Sequence, residues 1–162
     1  MDYPHTAGND EKEKPLHHFV TSRDVFNKEK NMTVKFKLTP IKTEDDFMES
    51  FPLLRQLIAI ENPESKTTKS TSWRQYQKAM KESYFLYAAK TSAEIVALVG
   101  IRILNDPFDT KPYAIINNLV VEEDYRGMGI GTDVLEQAEK IAKKNKASSV
   151  IVNVLKSNKK AK

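Results

Sequence analysis

Three observations predict an α+β fold with a mixed sheet, antiparallel in its first part and closed by a parallel strand–helix–strand unit. Three apolar runs rich in β-branched and aromatic residues follow one another at 84–90, 95–104 and 113–121, with only short turn segments between them. The third runs into a glycine-rich corner, Arg126-Gly127-Met128-Gly129-Ile130-Gly131, and then into a single amphipathic stripe. A further apolar run, from Ser149 to Leu155, follows that stripe, and a strand returning through a helix pairs parallel with its predecessor.

Residues 1–31 carry Asp10-Glu11-Lys12-Glu13-Lys14, scattered prolines and no sustained periodicity, so they are expected to form a disordered tail ahead of a single domain at 32–162. Val34, Phe36 and Leu38 alternate with Lys35 and Lys37, as in a half-buried strand. Thr43 followed by Glu44, Asp45 and Asp46 predicts a helix cap, and Phe47, Phe51, Leu54 and Ile58 continue one helical face that Pro52 should kink or split. Trp73, Tyr76 and Met80 have helical spacing and read as core. The runs at 84–90 and 95–104 flank Thr91-Ser92-Ala93-Glu94 as a hairpin, and Asn105-Asp106-Pro107 ends the second. The last helix begins near Gly131 and reaches about Asn145. Its stripe is Val134, Leu135, Ala138, Ile141 and Ala142, and Glu136–Lys140 and Glu139–Lys143 are spaced for pairing on its outer side.

Composition excludes several function classes. With 162 residues and no cysteine, the chain makes neither a disulfide, a thiolate metal site nor a cysteine nucleophile. His5, His17 and His18 all fall in the tail, so no metal is expected. No apolar run approaches the ~20 residues that span a membrane, and the charged N-terminus lacks a signal-peptide core, so a cytoplasmic protein is expected. A net charge of +4 suits an anionic ligand, but the lysines lack the interleaved aromatics of a nucleic-acid surface.

The glycine corner is where chemistry is expected. Glycines at 127, 129 and 131 let a backbone approach a ligand closely, and the start of a helix directs free N–H groups at an anion such as a pyrophosphate. The spacing is G-x-G-x-G, not the dinucleotide G-x-G-x-x-G, and the strand Val150-Ile151-Val152 stands where a ribose-binding acid would be needed. Gly131-Thr132 lacks the lysine of a P-loop. Arg126-x-x-Gly129-x-Gly131, with Leu119-x-Val121 on the strand before it, resembles the R/Q-x-x-G-x-G/A acyl-CoA motif of the GNAT superfamily of N-acetyltransferases. Strand, motif, helix and following strand also fall in that family's order, from about Thr33 to Leu155.

The resemblance implies a transferase that moves an acetyl group from acetyl-CoA, its cosubstrate, to a primary amine by direct attack. It implies that Leu119 and Val121 bind the pantetheine arm through their main chain, in a V between their strand and the next. Arg126, Gly127, Met128, Gly129, Ile130, Gly131 and Thr132 would surround the pyrophosphate, and the Leu119 N–H would polarise the thioester carbonyl. Two departures follow. Many relatives carry a carboxylate where this chain has Asn117, just before Asn118, and Glu122, Glu123 and Asp124 read as solvated acids, so no general base is assigned. Asn158 and Ala161 fit the start of the family's N-x-x-A-x-x-F-Y-x-K-x-G-F helix, and Asn158 is thereby a further cofactor-binding candidate. The Phe-Tyr pair, the acid tyrosine and two final strands have no counterpart before Lys162, and neither Tyr113 nor Tyr125 sits where the family's acid does. The expectation is a member truncated after its fifth strand, weakly active, with an uncovered last strand through which a homodimer could form. A CoA-binding or interaction module without turnover stays open beside the enzyme, and the acceptor amine is not legible.

Overall fold

In a computed structural model that describes residues 34–153, strand β1 (Lys37–Pro40) leads into helices α1 (Glu44–Glu61) and α2 (Lys69–Lys81). Three strands follow, β2 (Tyr84–Lys90), β3 (Ile95–Leu104) and β4 (Tyr113–Val121). A 3-10 turn (Glu123–Tyr125), helix α3 (Ile130–Lys144) and β5 (Val150–Val152) complete the order. The predicted tail at 1–31, Leu155 and Asn158 lie outside the described residues. Among the described residues no helix is long and apolar enough to cross a membrane.

The sheet runs β1-β2-β3-β4-β5 in space, antiparallel through β4 and parallel between β4 and β5. β1 is shorter and later than the alternation predicts. Its ladder starts where Lys37 meets Lys90, the last residue of β2, so Val34 and Phe36 pack against the core without a strand partner. Thr43 caps α1, accepting the Asp46 N–H at 3.2 Å; its hydroxyl returns a 2.8 Å bond to the Asp46 carboxylate, which lowers that group's pKa.

Pro52 does not split α1, which continues for 18 residues. The proline forfeits one backbone bond, but Phe47, Phe51, Leu53, Leu54 and Leu57 around it are all buried, and that packing outweighs a single lost bond. α1 and α2 cover one face of the sheet, where Phe47 stacks on Tyr76 with ring centroids 5.3 Å apart. α3 covers the other through Ile130, Val134 and Ala138. The predicted pairs along α3 are not closed; among the described residues the ion pairs are Lys90–Glu49 at 2.6 Å and Arg102–Glu82 at 3.9 Å. Exposed side chains of that kind gain too little to be held together. In β5, at one edge of the sheet, Ile151 and Val152 are 48% and 43% exposed.

Candidate active site

The site begins with a change of phase in β4. Upstream, the Ala114 N–H donates to the Ser149 carbonyl and the Ile116 carbonyl accepts from the Asn153 N–H, both at 2.9 Å. Even-numbered residues there turn their backbone polar groups towards β5. Downstream, the Glu122 N–H donates to the Val96 carbonyl at 2.9 Å, so even-numbered residues now face β3. The switch follows from register: Asn117 opposes Gly100 while Val120 opposes Leu98, so β4 carries one extra residue, a bulge. Asn118 absorbs it at φ 53°, a left-handed conformation that asparagine tolerates better than most residues. As a result the backbones of Leu119 and Val121 point towards the β5 side. Among the described residues the pairing with β5 runs from Ala114–Val150 to Ile116–Val152.

The glycine corner follows β4 and the 3-10 turn, at the start of α3. Gly127 and Gly129 have φ of 79° and 83°, so both positions require glycine on conformational grounds. A Cβ at either would meet nothing within 4 Å, which leaves the space above them open. Gly131 is different: its φ is ordinary and a Cβ there would touch Val121 at 3.7 Å, a normal contact. Gly129 caps α3 without a side-chain bond, and its carbonyl takes the N–H groups of Thr132 and Asp133 at 3.0 and 3.1 Å. The N–H groups at the very start of α3 are thus directed outwards. Ile130 is buried and Met128 packs on the same core, so each has only its backbone to offer a ligand, whereas Thr132 is exposed.

Side chains then tie this corner to the sheet. The Arg126 Nε–H donates to the Val121 carbonyl at 2.9 Å, and Nη2 donates to Gln56 at 3.2 Å. Gln56 in turn donates to both oxygens of Glu122, at 3.1 and 3.0 Å, so Glu122 is held rather than merely solvated as expected. It also accepts the Glu123 N–H at 3.0 Å. The Tyr125 hydroxyl donates to Glu94 at 2.6 Å, a bond that raises its pKa. Tyr113 opens β4 opposite Leu104, about 20 Å along the strand from Leu119 at the rise of an extended chain.

Sequence reasoning missed Gln56, Glu61, Tyr84 and Gly100. The Tyr84 hydroxyl donates to Asn118 Oδ1 at 2.7 Å, and Asn118 Nδ2 donates to both oxygens of Glu61 at 3.1 Å. A Cβ on Gly100 would lie 2.2 Å from that hydroxyl, so the glycine makes room for it. Glycine inside an apolar strand was the one local sign of such a close approach.

The model of the Acetyltransferase (GNAT) family matches residues 44–162. No curated protein sequence matches the chain. Among solved structures, an aminoglycoside acetyltransferase from an uncultured soil metagenomic sample, in complex with sisomicin, is 20% identical with a TM-score of 0.63, covering 78% of this chain and 82% of its own. Glucosamine-6-phosphate N-acetyltransferase from Arabidopsis thaliana is 19% identical at a TM-score of 0.60, covering 78% and 87%. A ribosomal-protein-alanine N-acetyltransferase from Brucella melitensis biovar Abortus 2308 is 16% identical at 0.62, covering 75% and 82%. At these identities the likeness is one of fold.

Proposed function

Because the chain belongs to the GNAT family of acetyltransferases, we propose that it transfers the acetyl group of acetyl-CoA to a primary amine. The observation that supports this reading best is the bulge at Asn118. It turns the backbone polar groups of Leu119 and Val121 away from β3, on the strand that leads into the Gly127–Gly129 corner, as an extended amide-bearing arm ending in a pyrophosphate requires. The Val121 carbonyl is engaged by Arg126, so its N–H and the Leu119 backbone are the groups available to the arm. In the reaction the neutral amine attacks the thioester carbon, with the Leu119 N–H stabilising the developing oxyanion. The C–N bond forms, the C–S bond breaks, and the nitrogen's proton leaves while the thiolate departs as CoA. Arg126, Gly127, Met128, Gly129, Ile130, Gly131 and Thr132 serve the pyrophosphate, and a cytoplasmic setting rests on the sequence reading alone.

A CoA-binding module without turnover is the second reading, favoured by Asn117, an amide that takes no proton from an ammonium. Calorimetry with acetyl-CoA, together with thiol release in the presence of amines, separates the two. Gly129→Asp puts a side chain and a negative charge into the open space above the corner and should weaken acetyl-CoA binding by about tenfold or more. Equal affinities for wild type and variant would remove the corner from the reading.

A further inference from the structure

Tyr84 opens β2, yet its hydroxyl ends on β4. Register sets Arg102 of β3, and beyond it Ile115 of β4, across from Tyr84. The side chain does not follow that line. It runs diagonally over Gly100, where a Cβ would lie 2.2 Å from the hydroxyl, and donates to Asn118 Oδ1 at 2.7 Å. The near end of the residue is fixed as well. The Ile103 N–H donates to the Ser83 carbonyl at 3.2 Å, just where β2 begins. Tyr76 meets the Tyr84 ring edge-on with centroids 6.4 Å apart, and the Arg102 guanidinium carbon lies 5.5 Å from the ring centroid. Burial pushes the hydroxyl's pKa upwards, so it stays a donor.

The acceptor is the residue on which the phase of β4 turns. The ladder leaves Asn118 and Leu119 between the pairs Asn117–Gly100 and Val120–Leu98, and it does not itself set which way the peptide joining them faces. That peptide carries the Leu119 N–H, so whatever holds Asn118 aims that N–H. At φ 53° Asn118 has a conformation that an L residue keeps only where its surroundings over-determine it. Its other contact, from Nδ2 to both oxygens of Glu61, lies on the exposed side, where water competes. The part-buried bond to Tyr84 is therefore the stronger hold.

We infer that Tyr84 is a positioning residue of the acetyl transfer: through Asn118 it fixes the peptide plane that aims the Leu119 N–H at the thioester carbonyl. The inference rests on the acetyltransferase reading above. It gives Tyr84 no contact with substrate and no proton to deliver.

Tyr84→Phe keeps the ring and removes only the hydroxyl, and three measurements on the full chain follow its effect. In the free protein the three-bond HN–Hα coupling of Asn118, which reports φ, should leave its left-handed value. In the complex with carbonyl-labelled acetyl-CoA, the infrared carbonyl stretch of wild type should lie below that of free acetyl-CoA, and Tyr84→Phe should lose about half or more of that lowering. The Kd for acetyl-CoA should change by less than about threefold, because the Arg126–Thr132 corner is untouched. Asn118→Gly keeps a left-handed backbone without a side chain to hold, so adding Tyr84→Phe to it should move the carbonyl stretch no further. A wild-type coupling in Tyr84→Phe overturns the inference, as does a wild-type carbonyl stretch. A further shift in the Asn118→Gly background also overturns it, since Tyr84 would then act on the thioester directly. A wild type with no affinity for acetyl-CoA overturns the acetyltransferase reading and the inference with it, whereas an unchanged coupling overturns the inference alone.

Discussion

Asn118 shows how much one residue can carry. Its left-handed backbone lets β4 change phase, while its side chain joins Tyr84 to Glu61 across the sheet. Gly100 is its silent counterpart. Any side chain at 100 would meet the Tyr84 hydroxyl at 2.2 Å and its ring at 2.7 Å, so the ring would have to shift. Gly100→Ala should therefore cost about 2–4 kcal/mol, combining overpacking with the loss of the Tyr84–Asn118 bond. Denaturant unfolding measures this directly. A cost below about 0.5 kcal/mol, the ordinary level of a neutral surface change, would mean that Tyr84 has another place to go.

Among the elements, α2 is fastened to the sheet by a polar contact inside an aromatic cluster. The Tyr76 hydroxyl donates to the Ile41 carbonyl at 2.8 Å and accepts the Leu86 N–H at 2.9 Å. Removing it with Tyr76→Phe strands a buried N–H and a buried carbonyl, at a cost of about 1–3 kcal/mol. Burial also pushes the Tyr76 pKa from 10.0 up to about 12, with the Leu86 bond opposing in part. Between those values the unfolded chain has released the proton and the folded chain still holds it. Stability is thus intact below pH 10 and declines from there to about pH 12. Thermal melts across that range should show Tm falling in wild type and falling less steeply in Tyr76→Phe. Parallel declines would assign the alkaline loss to other groups.

For the molecule as a whole, stability is graded across the sheet. β3 lies at the centre, with Val96 to Val99 wholly buried between α1 and α2 on one face and α3 on the other. β5 lies at the edge with two exposed apolar side chains. Amide exchange should be slowest at Val96–Val99, opening only with global unfolding, and fastest among the strands at Val150–Val152. Uniform protection across all five strands would show that the edge is covered in solution, as a partner chain on β5 would achieve.

The sequence by itself determined whatever local pattern specifies. β2, β3 and β4 begin and end where their apolar runs do, and the glycine corner opens α3 within a residue of expectation. The glycine corner was legible as a special backbone, but the sequence treated its three glycines alike, and only Gly127 and Gly129 are left-handed. Tertiary structure decided the rest. Burial of α1's apolar face kept Pro52 inside a continuous helix, β1 was bounded by the end of β2, and Arg126 turned back onto Val121 and Gln56. The Glu61–Asn118 and Tyr84–Asn118 contacts join residues 57 and 34 positions apart. No periodicity encodes such meetings, because they depend on strand register and on where a helix ends above the sheet, and both are fixed only when the whole core packs.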